Sequence, residues 1–154
     1  MLWDVRKATP ADVSYIAPRL RKEDTEECHA ATGLPNEDAL MVGIKTARVV
    51  VGMDDKPIAI FGVEPLTETT GAVWMAATPA LTEPPYITEF IRHSRAMCDK
   101  LHDEFPLLCN AVDARNTLHI RWLEWCGFIF INRHETYGHE KRPFLEFIRI
   151  KTNV

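Results

Sequence analysis

The feature that most constrains this chain is a strand, a long helix and a second strand in direct succession over residues 71–112. "GAVWMAA" (71–77) is apolar and strand-like. "ITEFIRHSRAMCDKL" (87–101) then places Ile87, Phe90, Ile91, Ser94, Met97, Cys98 and Leu101 on one face at the helical period. Arg92, His93, Arg95 and Lys100 cover the other faces. "PLLCNAV" (106–112) is short and nearly all apolar, as expected of a strand buried on both faces. The loop between the first strand and the helix reads "TPALTEPPY" (78–86). Helix N-termini present free N–H groups and commonly hold anions, usually with the help of glycine. This junction has three prolines and no glycine.

The remaining segments extend the pattern. "WDVRKAT" alternates as a first strand, and Thr9, Pro10 and Asp12 form a helix start. Pro18 is expected to kink or end that helix. "EDTEECHAATG" (23–33) reads as an acidic surface piece, and Asn36 as the cap of a second helix with Leu40 and Ile44 inward. "ARVVVGM" and "PIAIFGVEPL" are strands joined by a "DDK" hairpin, and "TETTG" is a further turn. "NTLHIRWLEWC" is a helix with Asn116 as its cap and Gly127 past its end. "FIFINRH" and "FLEFIRI" are two last strands separated by the polar "ETYGHEKRP". The expected order is β-α-α-β-β-β-α-β-α-β-β, an α+β domain over 1–154 with a mixed β-sheet and helices on both faces.

The bulk properties exclude several classes. The net charge of -4, from 18 basic and 22 acidic side chains, gives no electrostatic reason to expect nucleic acid or an anionic membrane as a partner. No apolar run approaches the length of a membrane span. "MLWDVRKATP" lacks an apolar signal core, so the protein is not expected to be secreted. Cys28, Cys98, Cys109 and Cys126 form no C-x-x-C pair, which suits a reducing compartment and argues against a zinc site. His134, Glu135, His139 and Glu140 read as a solvated hairpin loop, so no metal is expected. Trp122 and Trp125, with Arg121, would suit a protein partner if that helix face is exposed.

The element order, and above all "NTLHIRWLEWCGF" (116–128), resembles the GCN5-related N-acetyltransferase (GNAT) family. Asn116, Ile120, Glu124, Gly127 and Phe128 fall on that family's late helix and strand. "VRKATPADV" is similar to the family's opening strand and capped helix. The longer stretch "NTLHIRWLEWCGFIFINRHETYG" also resembles the acetyltransferase-like internal virion proteins of short-tailed phages. That likeness implies a phage-encoded protein of the host cytoplasm or virion interior, with a virion or host protein as partner; the oligomeric state is left open.

The resemblance also sets expectations for a site. In the family, the loop before the long helix cradles the pyrophosphate of acetyl-CoA through glycines, and the arm of the cofactor enters a gap between the flanking strands. Here Glu83, Pro85 and Ile87 stand at the glycine positions; proline donates no N–H and a carboxylate repels a dianion. Leu123 stands where the family often has a tyrosine acid. Two readings follow. In the first, the acetyl-CoA site is degenerate, no cofactor is expected and the protein is a non-catalytic virion or host-interaction component. In the second, it is an acetyl-CoA-dependent N-acyltransferase with a shifted site. Its cofactor contacts would then come from Ala76, Ala77, Thr78 and Asn116, and its weak catalytic candidates are Glu64 and His119. The gap separates the readings: filling by Trp74, Met75 or Leu108 would weaken the second.

Overall fold

The structure, a computed structural model, describes residues 3–152. Of the expected single unit 1–154, Met1, Leu2, Asn153 and Val154 lie outside the described residues, as does the start of the N-terminal segment weighed as a signal. Seven strands and five helices follow one another: β1 (Asp4–Lys7), α1 (Pro10–Ile16), α2 (Lys22–Thr32), α3 (Asn36–Val42), β2 (Arg48–Val51), β3 (Pro57–Pro65), β4 (Thr70–Ala77), α4 (Tyr86–Leu101), β5 (Leu107–Asp113), α5 (Thr117–Trp125), β6 (Ile129–Tyr137) and β7 (Arg142–Ile150). The strands form one mixed sheet in the order β1-β2-β3-β4-β5-β7-β6. Among the described residues only β4 and β5 pair in parallel, and α4 supplies the crossover such a pair requires. Among the described residues no helix is long and apolar enough to cross a membrane.

Each face of the sheet is covered. On one, Val13 and Ile16 of α1 and Leu40 of α3 pack against Val49, Val51, Ile60 and Ala76, with Trp74 beside them. On the other, Phe90 and Cys98 of α4 and Leu123 of α5 pack with Ala77, Leu108, Val112 and Phe147. Cys98 and Cys126 are buried thiols, as their apolar positions imply.

The first helix begins as its sequence dictates. Thr9 accepts the Asp12 N–H, and Asp12 accepts the Thr9 N–H at 2.8 Å, closing a capping box with Pro10 in the first turn. Arg6 on β1 donates to both Asp12 oxygens at 2.7 and 2.9 Å, tying strand to helix and holding the Asp12 carboxyl below its ordinary range. Pro18 ends α1, and Ala17–Arg19 continue as one tighter 3₁₀ turn.

Three expectations need correction. "EDTEECHAATG" is no loose surface piece but most of helix α2, closed by Gly33 at φ 72°. Its apolar stripe is weak because the face it buries is polar. Asn36 does not cap α3: Pro35 stands at the cap, and the Asn36 amide donates to Ala17 O and Thr25 Oγ1, 3.0 Å each. The last two strands run further than "FIFINRH" and "FLEFIRI", so that only Gly138–Lys141 form the turn. That tip is held on α2: the His139 and Glu140 N–H groups donate to Ala31 O and Ala30 O.

The capping box gives a direct test. Thr9→Ala should lower stability by about 1 kcal/mol. Asp12→Ala should cost more, about 2 kcal/mol, because it also removes the two hydrogen bonds that tie Arg6 of β1 to the helix. Urea unfolding of the two variants checks the order; equal stability of both with the parent would contradict it.

Candidate functional site

The parallel pair β4–β5 is short. Only Thr70, Gly71 and Ala72 pair with Leu107, Leu108 and Cys109. Beyond them the strands part, although β4 continues to Ala77 and β5 to Asp113. Asn110 marks the parting. Its side chain donates to Val73 O at 2.8 Å and accepts the Ala111 N–H at 2.8 Å, so a side chain stands where backbone pairing would continue. A wider separation results.

Helix α2 spans this parting with two carboxyls three residues apart on one helical face. Asp24 accepts the Ala77 N–H at 3.0 Å, and the Arg21 N–H donates to Ala77 O at 2.8 Å. Both gap-facing polar groups at the end of β4 are therefore taken by the start of α2. Asp24 also accepts the Asn116 amide at 3.0 Å and the Arg21 guanidinium at 3.2 Å. Glu27 reaches the other strand and accepts the Asp113 N–H at 2.9 Å. Asp113 is claimed in turn by Arg115 at 2.7 Å. Burial alone would push the Asp113 carboxyl up, but the Arg115 hydrogen bonds hold it below its ordinary range.

Glu27 has no such cation. Burial, with Asp24 and Asp113 close by, pushes its carboxyl up to about 8, so it is mostly protonated at neutral pH. Cys28 beside it is pushed up to about 12 by burial, with Glu27 and Asp24 adding to it. His119, one turn into α5, is held down to about 4 by burial and is neutral. Glu27 and His119 lie deep in the protein yet keep some accessible surface, because a cavity of about 790 Å³ reaches them. The cavity passes through the sheet at the parting, from Leu40 and Trp74 on one side to Ser94 and Met97 on the other. Trp74 and Met75 line it without filling it, while Leu108 is fully buried in the core.

The expected site residues separate. Ala77 and His119 belong here, His119 as a cavity wall packed on Trp122. Thr78 is buried, and its N–H and hydroxyl both donate to Ile58 O. Ala76 is buried in the α1–α3 core and also borders the cavity. Asn116 stands at the α5 cap position but makes no cap bond: its side chain is fully buried on Asp24, and its Oδ1 has no partner. Glu64 lies at the far end of β3 opposite Ala72 and meets Thr46. Trp122 and Trp125 do not share an exposed face. Trp122 turns inward, stacks on Phe90 and donates to Ser94, whereas Trp125 is 45% exposed under Arg95. The hairpin histidines also go separate ways, His134 to Glu146 and His139 toward His29, whose own partner is Glu140. Sequence reading missed Asp24 and Glu27. The signal was their three-residue spacing before Gly33, legible once 22–32 is read as a helix.

The loop "TPALTEPPY" holds no anion cradle. Pro79–Thr82 form a 3₁₀ turn, the Leu81 and Glu83 N–H groups donate to Thr78 O and Ala80 O, and Glu83 O accepts the Ile87 N–H. Pro85 starts α4.

Burial of Glu27 ties stability to pH. The native state holds its proton more tightly than the unfolded chain, whose carboxyl titrates near 4.5. That contribution is whole below the unfolded value and is lost as pH rises through about 8. Glu27→Gln should therefore melt higher than the parent at pH 9 and close to it at pH 5. Parallel melting curves across that range would contradict the assignment.

No known family's sequence pattern matches this chain, and no curated protein is similar to it in sequence. Its structure is similar to many solved acetyltransferases. Ard1 from Thermoplasma volcanium superposes with a TM-score of 0.75 at 11% identity, over 99% of this chain and 100% of that one. A GCN5-related N-acetyltransferase from Kribbella flavida gives 0.67 at 19% identity, over 97% and 98%. A phosphinothricin acetyltransferase from Sinorhizobium meliloti, solved with AcCoA, gives 0.69 at 11% identity, over 98% and 89%. The chain therefore has the GNAT acetyltransferase fold.

Proposed function

We propose that this protein is a GNAT-fold component that does not carry out ordinary acetyl-CoA transfer, and that it serves a phage as a virion or host-interaction protein. The observation that carries this reading is the pair of hydrogen bonds between Ala77 and the start of α2. In the family resembled, the arm of the cofactor enters the gap between the strands that correspond to β4 and β5. Here the Arg21 N–H and the Asp24 carboxylate occupy the N–H and C=O that such an arm would use. The glycine-free loop supports the same reading, since its prolines donate nothing and two of its N–H groups are spent internally. The phage assignment is supported by the likeness of residues 116–138 to internal virion proteins. That assignment implies the host cytoplasm or the virion interior, with a virion or host protein as partner.

One observation favours a second reading, an acetyl-CoA-dependent N-acyltransferase. The cavity stays open behind α2, and Glu27, at about 8, becomes a carboxylate able to accept a proton from an amine as pH rises above neutrality. Glu27 would then take the role assigned above to Glu64 or His119.

Calorimetric titration with acetyl-CoA, with desulfo-CoA as control, separates the two. No heat at millimolar ligand is expected. Micromolar binding, about -8 kcal/mol, would overturn the first reading and turn the search to an acceptor amine.

A further inference from the structure

The cavity has a chemistry of its own, whatever becomes of acetyl-CoA. Its walls are largely Phe61, Trp74, Met75, Met97, Phe128 and Phe147. At about 790 Å³ it is as large as the pockets that enclose whole small molecules. The lining also includes the exposed Arg48, Lys100, Asp103 and Glu104 and the Trp74 indole, whose buried N–H has no partner among the described residues. Two further polar groups on its wall are likewise unpartnered. One is Glu27 Oε2, since only Oε1 is engaged, by Asp113 and Asn116. The other is the His119 ring, which packs on Trp122 and makes no hydrogen bond. Neither offers a charge at neutral pH, for the reasons given above. The two ionised carboxylates nearby, Asp24 and Asp113, are each matched by an arginine, Arg21 and Arg115. In the depth of the cavity an anionic ligand would meet Glu27 beside Asp24 and Asp113, and a cationic one would find no unmatched carboxylate until Glu27 lost its proton; the other charged lining residues, Arg48, Lys100, Asp103 and Glu104, are exposed and of both signs.

We propose that this cavity binds an uncharged, largely apolar molecule whose single hydrogen-bond acceptor faces the Glu27 carboxyl and His119. The apolar body is held by the aromatic and methionine wall, and the acceptor satisfies a Glu27 O–H that otherwise points into the cavity unpaired. Such a molecule needs no diphosphate cradle and no opening of the Ala77–Asp24 contact. The site is therefore independent of the route closed by α2.

The test uses the full chain and the uncharged fluorescent probe N-phenyl-1-naphthylamine. Saturable binding at one site per chain is expected. Three competitors with the same chain, 1-octanol, octanoate and octylamine, are compared at pH 7 below their aggregation limits. Octanol should displace the probe at least about tenfold better than either charged analogue. Parent binding should weaken between pH 7 and 9, and Glu27→Gln should show no such change across that range. The groups facing Glu27 in that range are Asp24, Cys28 and Arg21 from the α2 segment, Asp113 and Arg115 at the end of β5, Asn116 and His119 at α5, and Tyr137 from β6. Of these, Cys28 and Tyr137 are held above that window and His119 below it. Met97→Trp, or Ala31→Phe should that variant not fold, fills the cavity and should abolish probe binding. Three results would overturn the proposal: no saturable binding, unchanged affinity in the filled variant, or octylamine as the strongest competitor, which would make this a cation site.

Discussion

The early end of the β4–β5 pairing is the constraint on which the rest of the structure depends. Two parallel strands that separate after Cys109 leave backbone groups facing a void, and buried groups of that kind must find partners. The protein answers with side chains. Asn110 bridges the point of separation, Asp24 takes the Ala77 N–H, and Glu27 takes the Asp113 N–H. Helix α2, the placement of Asn116 and the course of the β6–β7 hairpin over α2 all follow from that arrangement.

The solution has an electrostatic cost. Three carboxyls converge on the open end of the gap, and three buried negative charges would not be tolerated together. Asp24 and Asp113 are each paired with an arginine, which holds the Asp113 carboxyl below its ordinary range, and Glu27 keeps its proton instead. The result is a site whose polar groups are either matched or neutral. That is a poor receptor for a diphosphate and a reasonable one for something uncharged.

Much of the scaffold was legible in the sequence because it rests on periodicity and local chemistry. The α4 stripe, the Thr9–Asp12 capping box, the Pro18 break and the apolar run of β5 are decided within a few residues, and the structure has each of them. The glycine-free loop was equally legible, since proline lacks an N–H in any fold. Helix α2 was not. Its buried face is made of Asp24, Glu27 and Cys28, so the hydrophobic period that would mark it is missing. Trp122 misled for the opposite reason: its spacing from Trp125 is helical, but only contact with Phe90 and Ser94 tells which of the two turns inward.

Sequence by itself determined the order of elements, the mixed sheet with helices on both faces, and the absence of glycine where a phosphate cradle would need it. These depend on backbone preferences and on burial patterns that neighbours in the chain impose. Tertiary structure alone decided what fills the gap. Asp24 and Ala77 are 53 positions apart, and Glu27 and Asp113 are 86. Whether a carboxylate is a solvated surface charge or the partner of a strand-end N–H is set by desolvation and by which cation lies within reach. Those quantities exist only once the chain has folded.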